Sequence, residues 1–205
     1  DCGGGTQTAG WLAGGQDGDP PPHPIHALNE HYDGTSWSEE PDMNTAATRR
    51  GGSGTQTASL AAGGYTGSAT VNSEEFNGSA WAEGNDLNSP GTGRSGLKAG
   101  LQTATLALGG WDDPHMEEVE SYDGTSWTEI TDLNTARGNI MGGLGIQTLA
   151  NAVGGAVPGS PGVSAANEEW DGTSWTEVAD LNTGRKEGGG AGTNAAGVVA
   201  GGEKP

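Results

Sequence analysis

Tyr122-Asp123-Gly124-Thr125-Ser126-Trp127 sets an Asp-Gly pair between two aromatic residues. Asp-Gly flanked by strand-like runs is the strongest short-range hairpin signal, because glycine accepts positive φ without steric cost. The phrase Asp-Gly-Thr-Ser-Trp occurs again at 33–37 and 171–175, with a relaxed copy, Asn-Gly-Ser-Ala-Trp, at 77–81. Every copy holds the same place in a longer unit that recurs at intervals of 44 to 49 residues. Such a period predicts one supersecondary unit per copy, stacked in a row or arranged in a ring.

Upstream of each hairpin lies a double glycine, at Gly14-Gly15, Gly63-Gly64, Gly109-Gly110, Gly154-Gly155 and Gly201-Gly202. Short alternating runs precede these glycines, at 8–13, 57–62, 103–108, 148–153 and 195–200. Small apolar residues alternating over about six positions predict buried strands. Glycine-rich pieces come before the runs, at 2–5, 51–54, 97–100, 141–145 and 188–192. Glycine weakens a free strand, so this density makes sense where backbones converge on the inner wall of a ring. Each hairpin leads into a second strand from its tryptophan, and the chain leaves through Asp-Met-Asn or Asp-Leu-Asn near an arginine (Arg49, Arg94, Arg137 or Arg185). No segment carries a 3.6-residue pattern, so the chain reads as all-β.

Four short strands in about 45 residues describe a propeller blade. The double glycine, the aromatic-Asp pair (Tyr32-Asp33, Tyr122-Asp123, Trp170-Asp171) and the downstream tryptophan resemble the kelch family of β-propellers over essentially the whole chain. The turn is tighter than usual in that family, where a residue or two more separates the aromatic from the tryptophan. The wording from Gly-Thr-Gln-Thr-Ala to Asp-Gly-Thr-Ser-Trp-Thr-Glu also resembles kelch-like repeats of bacteriophage tail-fibre and appendage proteins. Residues 121–127 come close to the Asp box of sialidases, itself a structural turn, but the Asp-to-Trp spacing is one residue short.

Composition pulls the other way. Leu, Ile, Val and Phe supply 25 of 205 residues, Gly and Pro supply 50, and the formal net charge is −19. Those are the proportions of a disordered chain. The fixed phase of aromatics in every unit argues for order, with a thin core built from Ala, Gly, Thr and one or two aromatics per unit. Eight basic residues against 27 acidic ones exclude a phosphate-backbone partner and disfavour anionic membranes. No apolar run approaches the roughly 20 residues of a membrane-crossing helix, so membrane insertion is not expected. Cys2 is the single cysteine, which rules out an intrachain disulfide. No secretory signal is visible, and a start at Asp1 predicts either a removed segment or a piece of a longer chain.

Four complete units (1–48, 49–93, 94–136 and 137–184) are followed by a half unit at 185–205, together forming one repeat domain. Five blades are favoured over four, with the two lacking strands supplied from before Asp1 or by a neighbouring subunit. An exposed edge of that kind invites pairing with another chain, so self-association or a larger appendage assembly is an expected partner mode.

Linkers after the second strand and exits after the fourth should share one face, with the Asp-Gly turns on the other. The linkers vary (16–30, 65–73, 111–120 and 156–167), and irregular loops on a regular scaffold are where recognition sits. They carry Trp111, Asp112, Asp113, His115, Tyr65, Asp17, Asp19 and His23, an aromatic-plus-carboxylate set suited to stacking on and hydrogen bonding to sugars. Asp17-Gly18-Asp19 resembles the opening of a calcium loop, which makes Ca2+ the one ion suggested, but the rest of that pattern is missing and Pro20 follows at once. His23 and His26 suggest a transition metal only weakly, because Pro24 spoils a helical pair. No cofactor is expected.

The recurrence of Trp37, Trp81, Trp127 and Trp175 at one place per unit points to packing between blades. Asp33, Asp123 and Asp171 are expected to cap their own turns. The chain lacks the paired histidines, tyrosines and cross-linked cysteine of a galactose-oxidase-type copper site, and it has no nucleophile elbow, phosphate loop or zinc cysteine pair. The expectation is a non-enzymatic binding or adhesion module of an extracellular or virion-surface appendage, recognising a cell-surface glycan or protein. The alternative is a structural subunit that self-assembles through its incomplete blade.

Overall fold

The computed structural model describes residues 2–18, 23–96, 100–159 and 162–204. Eighteen strands form four four-stranded antiparallel sheets and one two-stranded sheet. Blade 1 holds β1 (Cys2–Thr6), β2 (Ala9–Ala13), β3 (Asn29–Tyr32) and β4 (Trp37–Glu40). Blade 2 holds β5 (Gly51–Thr55), β6 (Ala58–Ala62), β7 (Ser73–Phe76) and β8 (Trp81–Glu83). In blade 3 these are β9 (Ser95–Gly96), β10 (Thr105–Trp111), β11 (His115–Tyr122) and β12 (Trp127–Glu129). Blade 4 comprises β13 (Gly142–Ile146), β14 (Leu149–Val153), β15 (Asn167–Trp170) and β16 (Trp175–Glu177). A half blade of β17 (Gly189–Thr193) and β18 (Ala196–Ala200) follows. Strands pair in chain order within each sheet, so every blade is a meander, and the fold is a β-propeller.

The inner strands β1, β5, β9, β13 and β17 pack successively against one another, and glycine is what lets them approach. A Cβ built on Gly52 would stand 2.7 Å from the Gly3 amide nitrogen, one on Gly96 2.6 Å from the Gly52 carbonyl, and one on Gly143 2.6 Å from that of Gly96. Side chains cannot occupy those distances, so these contact positions exclude every residue but glycine.

The apolar core sits between blades. Trp81 of blade 2 packs on Trp11 and Met43 of blade 1, with the two indole rings 5.9 Å apart. Trp127 packs on Leu60 and Leu87, and Trp175 on Leu106 and Leu133, always one blade back. Burying one such side chain contributes about 2–3 kcal/mol, so a few aromatics replace the broad aliphatic core that composition denies this chain.

Two polar joints repeat at the same seams. Gln56 donates to the carbonyls of Gly10 and Tyr32, Gln102 to those of Ser59 and Phe76, and Gln147 to that of Tyr122. On the opposite side, buried Glu74 accepts from the Asn44 and Thr45 main-chain amides at 2.7 and 3.1 Å and lies 3.4 Å from Arg50. Glu120 does the same with Asn88, Ser89 and Arg94, and Glu168 with Asn134 and Arg137. A buried carboxylate is tolerated only when paired and hydrogen-bonded, and these three are both.

Among the described residues no blade packs on the tryptophan side of blade 1, and its side of each joint is bare. Trp37, expected between blades with the other three tryptophans, is 52% exposed and, among the described residues, stacks only on Tyr32 of its own blade. Among the described residues, Gln7 and Glu30 have no hydrogen-bond partner for their side chains. At the other end β17 packs on β13, but β17 and β1 do not pack together comparably. The described strands therefore form an open arc.

Candidate binding site at the axial mouth

Just before inner strands β5, β9, β13 and β17 the backbone passes through a left-handed residue: Arg49 (φ 59°), Gly93 (62°), Asn139 (48°) and Glu187 (58°). Such angles favour glycine, and three of the four positions hold something else. Main-chain hydrogen bonds tie them together around the axis. The Gly93 amide donates to the Arg49 carbonyl at 3.0 Å, Asn139 to Gly93 at 2.8 Å and Glu187 to Asn139 at 3.3 Å. This polar collar rims a cavity of about 410 Å³ lined by Arg49, Arg50, Arg94, Asn139 and Glu187 among others.

Behind the lining lie buried arginine donors without hydrogen-bond partners. Arg50 is buried, and among the described residues its guanidinium nitrogens make no hydrogen bond and pair only with Glu74. Nε and Nη1 of Arg94 are likewise unfilled, while Nη2 donates to the Ser89 carbonyl at 3.2 Å. Burial pushes the Arg94 pKa down from its ordinary value, opposed by the charges of Glu120, Glu118 and Glu129. Buried donors left open in this way are satisfied by water or by a ligand oxygen.

The variable linkers begin at the collar. Thr48, next to Arg49, exchanges main-chain hydrogen bonds with Tyr65 at 2.8 and 3.0 Å, and Thr92, next to Gly93, does so with Trp111 at the same distances. Gly138 with Ala156 and Lys186 with Glu203 continue the series. Tyr65 is 37% and Trp111 45% exposed. The Asp-Gly turns lie at the other end of each blade, against the first hairpin turn: Gly34 adjoins Thr8, Gly78 Thr57, Gly124 Thr103 and Gly172 Thr148.

The segment 111–120, expected as an irregular linker, is largely strand. Gly109 (φ 52°) and Gly110 (φ 136°) form a bulge that shifts the register, after which Gly110 pairs with Met116 and Trp111 with His115. Trp111, Asp112, Asp113 and His115 thus occupy the tip of a long hairpin. Asp112 and His115 line a second cleft of about 260 Å³ with Ser89, Met116 and Glu118. Burial lowers the His115 pKa, helped by the charge of Lys186.

Asp17 stands apart from this cluster, with its Oδ1 2.9 Å from His26 Nε2, and His23 is exposed. Asp19 lies outside the described residues. Among the described residues no three His, Cys, Asp or Glu side chains gather as metal ligands.

At the opposite end, Asp33, Asp123 and Asp171 each accept two amide hydrogen bonds at 2.8 Å, from the residues two and three positions on. Those bonds hold all three carboxyls below their ordinary pKa. Asn77 makes the same pair of bonds at 2.9 and 3.0 Å without a charge.

Sequence reasoning missed Arg50, the collar and both polar seams. A signal for the seams was present: Glu30, Glu74, Glu120 and Glu168 each stand two residues before the hairpin aromatic. The arginines gave less away, since Arg50 and Arg94 follow the left-handed residue directly whereas Arg137 lies two residues ahead of it.

Neither a family model nor a curated protein matches this sequence. Among solved structures, YjhT, a kelch-repeat protein, superposes with a TM-score of 0.80. The match covers 98% of this chain and 76% of that one, at 13% sequence identity. At that identity the likeness is one of fold, and by fold the chain is a kelch-like β-propeller.

Proposed function

We propose that this protein is a non-enzymatic binding module that recognises a glycan through the face carrying the axial mouth. One observation supports this above others: two exposed aromatic residues, Tyr65 and Trp111, pair by main chain with Thr48 and Thr92, the residues next to Arg49 and Gly93 on the collar of a polar cavity. Sugars need both features, an aromatic face for their C–H groups and fixed polar groups for their hydroxyls. The charge balance selects neutral sugars. Glu74 and Glu120 already offset Arg50 and Arg94, Glu187 stands at the mouth, and a net charge of −19 repels acidic ligands at long range. The repeat phrasing that resembles phage appendage proteins supports a setting on an extracellular or virion surface.

The test is a glycan array followed by calorimetry on the best binder. Neutral glycans are expected to bind, and Trp111→Ala or Tyr65→Ala is expected to weaken binding about tenfold, the scale of one lost stacking contact. Trp37→Ala, in blade 1 and away from the mouth, serves as the control and leaves affinity unchanged. A binder insensitive to both rim substitutions would contradict this reading.

A further inference from the structure

Of the four turns that join outer strands, one carries an amide where the others carry an acid. Asn77-Gly78 is the only Asn-Gly pair in the chain, and it stands where Asp33-Gly34, Asp123-Gly124 and Asp171-Gly172 stand in the other blades. An asparagine side chain can react with its own main chain when the next amide nitrogen reaches Cγ, and glycine has no side chain to hold that nitrogen off. Asn77 and Gly78 are both exposed, at the tip of the β7–β8 hairpin. Oδ1 of Asn77 accepts from the Ser79 and Ala80 amides at 2.9 and 3.0 Å. Those two donors face the oxygen on which charge builds when Cγ is attacked. Among the described residues, Asn77 Nδ2 and the Gly78 amide have no protein partner, so leaving group and nucleophile are both free.

Other positions with related chemistry are held. Asn44, Asn88 and Asn134 give their side-chain amides to a buried glutamate and to the carbonyl of the next blade's tryptophan. A carboxylate in their place would face Glu74, Glu120 or Glu168. Asn72 precedes Ser73, which is buried and paired with Ala62 in the sheet. Asp33, Asp123 and Asp171 precede glycine too, but their amide hydrogen bonds keep each carboxyl ionised below its ordinary pKa. An ionised carboxylate resists nucleophilic attack where a neutral amide does not.

We infer that Asn77 is a site of spontaneous covalent modification, at which the Gly78 main-chain nitrogen attacks Asn77 Cγ and closes a cyclic imide. The Gly78 amide proton leaves with the side-chain nitrogen as ammonia. Water then opens the imide at Cγ, which gives aspartate, or at the Asn77 main-chain carbonyl, which gives isoaspartate. No atom changes oxidation state. The two products differ in consequence. Aspartate restores the residue of the other three turns. Isoaspartate runs the main chain through Cβ and Cγ, which lengthens the turn and moves the oxygen bound by the Ser79 and Ala80 amides into the backbone. Phe76 pairs with Trp81 directly across that turn, and Trp81 packs between blades against Trp11 and Met43. Isoaspartate at this position therefore loosens the seam between blades 1 and 2.

The test ages the intact protein in mildly alkaline buffer without denaturant, with peptide mapping by mass spectrometry and enzymatic methylation of isoaspartate as readouts. Asn77 is expected to convert at least about tenfold faster than any other asparagine, with isoaspartate among its products. Asp123→Asn, which sets the same amide before Gly124 in blade 3, should create a second reactive site. Aged protein should unfold at lower urea than fresh protein. Asn77→Asp carries the same added charge on an unaltered main chain and should match fresh protein. Earlier ammonia loss at another asparagine, or conversion of Asn77 only in urea, overturns the inference. So does an Asp123→Asn variant that stays unmodified at that turn, or aged protein whose urea midpoint equals that of Asn77→Asp.

Discussion

A single carboxylate closes each Asp-Gly turn, and unit 2 shows how much of its work needs charge. Asn77 reproduces the two amide hydrogen bonds of Asp33, Asp123 and Asp171 with a neutral side chain. Geometry therefore predicts that replacing all three aspartates by asparagine preserves the fold at neutral pH. The acid response should change. Each carboxyl sits below 3.8 in the folded state, so its stabilisation is complete above that value and is lost as pH falls through the folded pKa. Urea midpoints between about pH 4 and pH 2 should fall less steeply in the triple variant than in the parent. Parallel curves would show that the turns contribute nothing through charge. His31 acts in the same direction at higher pH: burial lowers its pKa from 6.5, so the folded state loses stability as pH drops below that value, in parent and variant alike.

Strands and seams come next in scale, and the polar seam can be tested against its own bare copy. Glu120 is buried and paired with Arg94, whereas Glu30, at the same place in blade 1, has no side-chain partner among the described residues. Removing one member of a buried pair leaves the other charge uncompensated, at a cost of about 3–5 kcal/mol. Glu120→Ala should cost that much in urea unfolding, while Glu30→Ala should stay within about 0.5 kcal/mol of the parent. Equal losses would mean that the seam does not stabilise the blades. At this scale the sequence was legible wherever the signal was local. Turn chemistry placed all four hairpins, and the double glycines placed the end of the second strand in every blade but the third. The segment 111–120 was misread as an irregular linker because a bulge at Gly109-Gly110 lets pairing continue past the glycines that end it in other blades. Arg50 and Arg137 were illegible as equivalents because they reach one kind of glutamate from different backbone positions.

For the molecule as a whole, what could not be read was anything that depends on a neighbour. Trp37 and Trp127 sit in the same phrase, yet one is 52% and the other 6% exposed, because among the described residues only Trp127 has a neighbouring blade to cover it. Val198 illustrates the far end. It holds the strand position of Trp11 and Leu60, which the tryptophan of the next blade covers, and it is 62% exposed. The axial mouth was equally hidden, since Arg49, Gly93, Asn139 and Glu187 share a backbone angle and no residue type. Glycine on the inner strands was the legible part, and it holds the arc together: blades can follow one another at this spacing only where no Cβ intervenes. That packing is the claim on which the mouth, the rim and the open edge all depend. Its most direct test is a pair of substitutions compared by urea denaturation. A Cβ at Gly96 would lie 2.6 Å from the Gly52 carbonyl, whereas one at Gly189 would meet nothing within 4 Å. Gly96→Ala should lose about 2 kcal/mol or more and Gly189→Ala no more than about 0.5 kcal/mol; equal stabilities for the two variants would contradict a ring wall packed through glycine.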